Sequence, residues 1–179
     1  GEMAPIARLH GNVSGFGMDK PTLVSFNEDA FCSFGKYRGN LNNQQGANAP
    51  VGQRVAFEYV TALNMLCTDR KHYVNLAGDK LVFWAERDAQ MEEETAFSLL
   101  SGALDAQNDM LDSAQRERIH NALDRIQQGG DPRSVGLDPT VRFYLLGLCA
   151  NKTRLVVRFF YESSFGELLS NLMAHYGAI

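Results

Sequence analysis

The 179-residue sequence has no long hydrophobic run. Nothing in it approaches the roughly 18 consecutive apolar residues that a membrane span requires, so no membrane partner is expected. Its opening, GEMAPIARLHGN, lacks the basic-then-apolar layout of a signal peptide, and the chain reads as soluble and cytoplasmic. Cysteine is scarce: Cys32, Cys67 and Cys149 are odd in number and widely scattered, which excludes a disulfide framework and a zinc site of paired spacing. They read as buried thiols. Positive charge is also short, with 17 Lys and Arg against 21 Asp and Glu giving a net charge of −4. That balance speaks against free-standing nucleic-acid binding on bulk electrostatics, although an average says nothing about one face.

Catalytic and cofactor motifs are equally thin. Gly15-Phe16-Gly17 has the look of a phosphate-cradling turn, but the third glycine of the dinucleotide fingerprint and the Gly-Lys-Ser/Thr of a P-loop are absent, so it reads as a flexible turn. Asp79 and Glu86 could be taken for nuclease carboxylates. One falls in a turn and the other at a strand end, no Glu-x-Lys pair follows them, and Trp84 between them reads as core. His120 has no second His or Cys at ligand spacing and reads as a solvated side chain. The expectation is a protein that is not an enzyme and carries no metal or other cofactor.

What is present is a stretch from Thr22 to Leu66 in which a short strand, Thr22 to Phe26, leads through a polar loop into an apolar helix. The loop, Gly35 to Pro50, offers Lys36 and Arg38 for phosphates and Tyr37 for stacking. Asn42, Asn43, Gln44 and Gln45 add amides that both donate and accept hydrogen bonds. A rigid scaffold holding such a loop in water is a common place for binding residues, while the plainer reading is a solvated loop that satisfies its own backbone. Late in the chain, alternation puts Arg154, Val156, Arg158 and Phe160 on one strand face. Two arginines interleaved with an aromatic can hold a nucleic-acid backbone or base; alternatively they pair with carboxylates of the acidic helices. Lys20 completes the set of expected phosphate neutralisers.

With 45% hydrophobic residues the chain can bury a real core, and residues 1–179 read as a single α+β domain with 90–130 as a helical insertion. Ile6 to His10 and Thr22 to Phe26 are expected as strands. Gly52 to about Asp69 is a helix with an inward stripe of Ala56, Tyr59, Val60, Leu63, Leu66 and Cys67, and Arg70-Lys71-His72 after it reads as a C-terminal cap. Tyr73 to Glu86 is a hairpin turning at Gly78. Glu92 to Leu104 and Asp112 to Ile126 form an acidic helical pair, the second opened by an Asp112–Gln115 capping box. Val141 to Cys149 and Thr153 to Tyr161 form a second hairpin, and Ser164-x-x-Glu167 opens a last helix. The architecture expected is a mainly antiparallel sheet built from these hairpins and the N-terminal strands, packed by helices, with the acidic pair projecting.

Several blocks, in order, carry a resemblance: PIARLHGNVSGFG, LVSFNEDAFCSFGKYRG, NAPVGQRVAFEYVTALNML, a hairpin ending VFWAE, and FYLLGLCANKTRLVVRFFYESSFGEL. Together they resemble the large subunit of the type I-C CRISPR surveillance complex, Cascade, whose members are longer, so that this chain is expected to be a central piece of one. The resemblance implies a role rather than a reaction. Such a subunit lies near the crRNA 5′ end, recognises the PAM in target DNA, steadies the displaced strand and helps recruit the helicase-nuclease. Its partners would be the other Cascade subunits, crRNA and target DNA. RNA-guided recognition leaves the protein to read a short PAM and the backbone, for which amides and a few cations suffice. The resemblance assigns no individual residue. A protein-protein module, with acidic helices docked on basic subunits, is the other reading.

Overall fold

The computed structural model describes residues 3–19, 21–24, 49–102, 111–152 and 154–177. Their elements are α1 (Gln53–Thr68), β1 (Tyr73–Leu76), β2 (Asp79–Ala85), α2 (Gln90–Ser101), α3 (Ser113–Gln127), a 3₁₀ turn at Pro132–Val135, β3 (Arg142–Asn151), β4 (Arg154–Ser164) and α4 (Phe165–Gly177). The strands form one antiparallel sheet in the order β1-β2-β3-β4, so the fold is α+β. Two compact units divide the chain. One comprises Gly1–Thr68 with Leu148–Val157, the other Asp69–Gly147 with Arg158–Ile179.

In the first unit α1 follows from its apolar stripe: Ala56, Val60, Leu63, Leu66 and Cys67 are buried, while Tyr59 is half-buried. The N-terminal segment lies against this helix. Gly11 passes so close that an added Cβ would stand 3.0 Å from Val60 Cγ1, and Asn64 ties the segment down by accepting from Ser14 N at 2.6 Å and donating to Asn12 O at 3.1 Å. The strand expected at Ile6–His10 does not form. Ala7 N donates instead to Val51 O, and Gln53 N to Pro5 O, so the backbone is satisfied by the lead-in to α1 and Ile6 keeps only an isolated bridge to Gly52. Of the second expected strand, Thr22 makes a parallel bridge to Arg154, and Leu23 and Val24 form a bend; Ser25 and Phe26 lie outside the described residues.

The second unit is organised by a sheet face. β1 and β2 join through Ala77 and Gly78, both at positive φ (51° and 90°), the geometry of a two-residue type I′ hairpin turn. The register that this turn sets pairs Tyr73 with Val82 and Leu76 with Asp79. Alternation then sends Leu81 and Phe83 inward, where they join Phe143, Leu145, Phe165 and Leu168 in one core cluster. Expected to project, the acidic pair lends its apolar face to that same cluster: Ala96, Phe97 and Leu99 from α2, Ile119 and Leu123 from α3. α3 opens on the Asp112–Gln115 capping box, with both reciprocal hydrogen bonds present. α2 has no side-chain cap; its carboxylates reach other elements instead, Glu92 accepting from Asp138 N at 2.6 Å and Glu93 from Ala85 N at 3.0 Å. At the start of α4, Ser164 Oγ accepts from Glu167 N, and Gly166 permits the close approach of Pro139, whose Cβ would lie 2.8 Å from an added Cβ.

Candidate nucleic-acid interface

Eight of the ten expected site residues, Lys20, Lys36, Tyr37, Arg38, Asn42, Asn43, Gln44 and Gln45, lie outside the described residues. The remaining two fall on β4, four residues apart, one in each unit. Arg154 is half-buried, and its backbone bridges to Thr22 while Leu155 N donates to Thr22 O at 2.9 Å. Arg158 is exposed and reaches Asp79 Oδ2 from Nε at 3.5 Å. That carboxylate comes from β2. Both partners are well exposed, and such a pair is worth only about 0–1 kcal/mol, so the Asp79 contact by itself holds Arg158 weakly.

Alternation predicts what stands beside Arg158 on this face. Trp84, expected in the core, is instead the residue after inward-facing Phe83 and so emerges on the opposite side of β2. There it stacks on Tyr144 of β3, ring centroids 5.2 Å apart with planes 18° from parallel, and Tyr144 stacks in turn on Phe160 of β4 at 6.0 Å and 17°. Trp84 and Phe160 are themselves 6.2 Å apart and tilted by 32°, so the three rings converge into one mutually contacting cluster contributed by three strands. The ladder runs out at Phe160, which lies on the edge strand and is 55% exposed.

Charge flanks the ladder on both sides. Arg142 binds Glu162 at 3.0 Å and lies 4.0 Å from Glu86, and its hydrogen bond to Tyr144, with those two carboxylates, holds the guanidinium pKa above its ordinary value. Glu86 is thus tied to Arg142 and Asp79 to Arg158, which gives both supposed nuclease carboxylates ion-pair partners. Among the described residues no group of three or more His, Cys, Asp or Glu side chains could hold a metal ion. Sequence reasoning missed Trp84 and Tyr144. The signal available was period-2 alternation, which places Trp84, Tyr144 and Phe160 each one step from a core residue.

Lys80 and Val82, on the same side of β2 as Trp84, are buried, so only the part of this face around Phe160 and Arg158 is accessible; aromatic rings beside arginines are what sheet-based nucleic-acid binders present to bases and backbones. The comparison with known families gives the chain its place: the model for CRISPR-associated protein (Cas_Csd1) matches residues 1–179. The chain belongs to this family of CRISPR-associated proteins, and hence among the subunits of the Cascade complex. No curated protein gives a significant match. Among the described residues no helix is long and apolar enough to cross a membrane.

Proposed function

We propose that this chain is a non-catalytic segment of the type I-C large subunit that contacts target DNA during crRNA-guided antiviral defence. The observation that carries the reading is the ladder of Trp84, Tyr144 and Phe160 beside Arg158. An unpaired base packs on the exposed part of Phe160, the most accessible ring of the cluster, and Arg158 takes the phosphate that follows it. Base stacking on aromatic side chains contributes about 1–3 kcal/mol per base and tolerates any sequence, which suits a strand displaced from a duplex. Reading of the PAM falls to the amide-rich loop of Asn42, Asn43, Gln44 and Gln45 with Lys36, Tyr37 and Arg38, and Lys20 and Arg154 add neutralising charge. Neighbouring Cascade subunits, crRNA and the recruited helicase-nuclease complete the partners, in the cytoplasm.

The test is fluorescence anisotropy with single-stranded DNA and with a PAM-containing duplex across a salt series. Phosphate neutralisation makes the logarithm of affinity fall with the logarithm of salt concentration. Arg154→Ala/Arg158→Ala should flatten that slope for the single strand, and Lys36→Ala/Arg38→Ala for the duplex. DNA should stay intact with or without divalent metal and EDTA. If folded protein binds neither DNA at low salt, direct contact is refuted and a scaffold role takes its place. One observation favours that second reading: Val156, Val157, Phe159 and Phe160 on the edge strand are all 40–55% exposed, and an apolar edge can accept a strand from a neighbouring subunit.

A further inference from the structure

A second feature of the Asp69–Gly147 unit lies apart from the ladder residues and uses none of them. Between the turn at Asp69–His72, the first turns of α2 and the start of α3 is a cleft of about 850 Å³. That is within the size range of small-molecule sites. Its floor includes Phe97 and Leu111, 7% and 9% exposed. On one wall stand Arg70, Lys71 and His72. These were expected to cap α1, but that helix ends at Thr68 with no basic residue in its last turn. Instead Asp69 shapes a turn, Oδ1 accepting from Lys71 N at 3.0 Å and its carbonyl from His72 N at 3.0 Å, which leaves the exposed Arg70 and Lys71 at the cleft. Among the described residues neither side chain has an ion-pair or hydrogen-bond partner. Beside them His72 Nε2 lies 3.8 Å from Asp69 Oδ2, and among the described residues its buried Nδ1 has no hydrogen-bond partner, an arrangement that native proteins rarely leave unexplained.

The lining also includes carboxylates, Asp69 in the same turn and Asp88, Glu93 and Glu94 further on, but most of their acceptors are already in use. Glu93 holds Ala85 N, while Glu94 accepts from Gln90 Nε2 at 2.8 Å and pairs with Arg118 at 2.8 Å. Asp88 is the exposed carboxylate left over. A bare anion gains from Arg70 and Lys71 and is repelled by the carboxylates. The ligand that gains from cations, apolar residues and carboxylates alike carries a phosphate, a flat apolar body and N–H donors. We infer that the cleft binds a nucleotide unit, with phosphate at Arg70 and Lys71, the base over Phe97 and Leu111, and its exocyclic amine donating to Asp88. Cytosine N4 and adenine N6 each offer a carboxylate two N–H groups, whereas thymine offers one N3–H flanked by two carbonyls that repel it. The site therefore prefers cytidine and adenosine nucleotides over thymidine.

The experiment follows backbone amide shifts of Asp69–His72 by ¹H–¹⁵N NMR, in an Arg158→Ala/Phe160→Ala background so that the sheet face contributes nothing. Titrants are dCMP, dTMP, deoxycytidine, inorganic phosphate and the tetranucleotide d(CCCC). Saturable shifts with dCMP are expected, several-fold weaker with dTMP and with either half of the molecule alone. Arg70→Ala/Lys71→Ala, both exposed positions, should weaken dCMP about tenfold, and Asp88→Asn should close the gap between dCMP and dTMP. Binding of d(CCCC) much tighter than dCMP would assign the site to a nucleic-acid strand, and equal binding to a free nucleotide. Absence of saturable shifts with both, phosphate binding as well as dCMP, or indifference to the Arg70/Lys71 substitutions would each overturn the proposal. None of these results depends on the sheet face, so failure here leaves the proposed function standing.

Discussion

The two faces of the sheet hold nearly the same aromatic side chains, one residue apart in sequence, and put them to opposite ends. Inside, Phe83 and Phe143 are fully buried with centroids 6.2 Å apart, and Phe165 tilts against Phe143 at 5.7 Å. Outside, Trp84 and Tyr144 are half-buried, and Phe160 is more than half exposed. A strand's period of two makes every inward aromatic the neighbour of an outward position, so a run such as Phe83-Trp84 or Phe143-Tyr144 serves both faces at once. What differs is the third ring. Phe165 comes from a helix that covers the inner stack, whereas Phe160 sits on the edge strand and leaves the outer one open. The sharpest way to break the comparison is to shorten matching rings on the two sides. Phe143→Ala should cost about 3–5 kcal/mol of stability by urea denaturation, since it leaves a cavity in a packed core. Tyr144→Ala should cost less, about 2 kcal/mol, because it loses two aromatic pairs and half a ring's burial but leaves no closed cavity. Equal losses would mean that the outer face is part of the core.

The next test asks whether the outer face does what its exposure permits. Phe160→Ala should cost only about 1 kcal/mol of stability and weaken single-stranded DNA binding about tenfold, a value inside the range for one stacked base. Phe160→Trp should restore or strengthen binding, because a larger ring offers more stacking area. Loss of stability without loss of affinity would return the ladder to a structural role.

This difference between faces also marks how far the sequence could be read. Hairpins, the α3 capping box and the stripe of α1 were legible because each depends on residues close in sequence: a turn, a four-residue cap, a 3.6-residue period. The stacking of Trp84 on Tyr144 depends on how β2 registers against β3, with Glu86 N donating to Arg142 O, and those residues stand 56 positions apart. Trp84 was accordingly placed in the core on hydrophobicity alone. Arg158 was legible as a surface cation, but its partner Asp79 was sought on the helices. The expected strand at Ile6–His10 failed for a related reason: its alternation was real, yet the nearest unsatisfied backbone groups belonged to the lead-in of α1.

A third test moves to the first unit, where a buried histidine meets a half-buried tyrosine. His10 is 6% exposed; its Nδ1 is hydrogen-bonded to the Tyr59 hydroxyl, and burial lowers its pKa below the ordinary 6.5. The unfolded chain therefore takes up the proton first as pH falls. His10's contribution to stability is fully present above about pH 6.5 and is lost as pH drops from there towards the lower folded-state pKa. The urea midpoint of the first unit should fall between pH 7.5 and pH 5.5, and His10→Gln should shrink that fall. An unchanged pH dependence in the variant would show that His10 takes up its proton equally in the folded and unfolded chain.

The smallest effect belongs to the turn that decides which aromatic goes to which face. Because side chains alternate, a slip of one residue between β1 and β2 would send Trp84 inward and Phe83 outward, so the register set at Ala77-Gly78 underlies the whole comparison. Ala77 holds a left-handed φ of 51°, a region that costs a residue with a Cβ about 1 kcal/mol. Asparagine tolerates that region better, and Asn-Gly is the preferred pair for a type I′ turn. Ala77→Asn should therefore raise stability by about 0.5 kcal/mol, read as a higher urea midpoint at unchanged slope. Affinity for single-stranded DNA should not move, since the native register already presents Phe160 and Arg158. A gain in affinity along with stability would show instead that the register fluctuates in the native protein, and that the two faces are less separate than their burial implies.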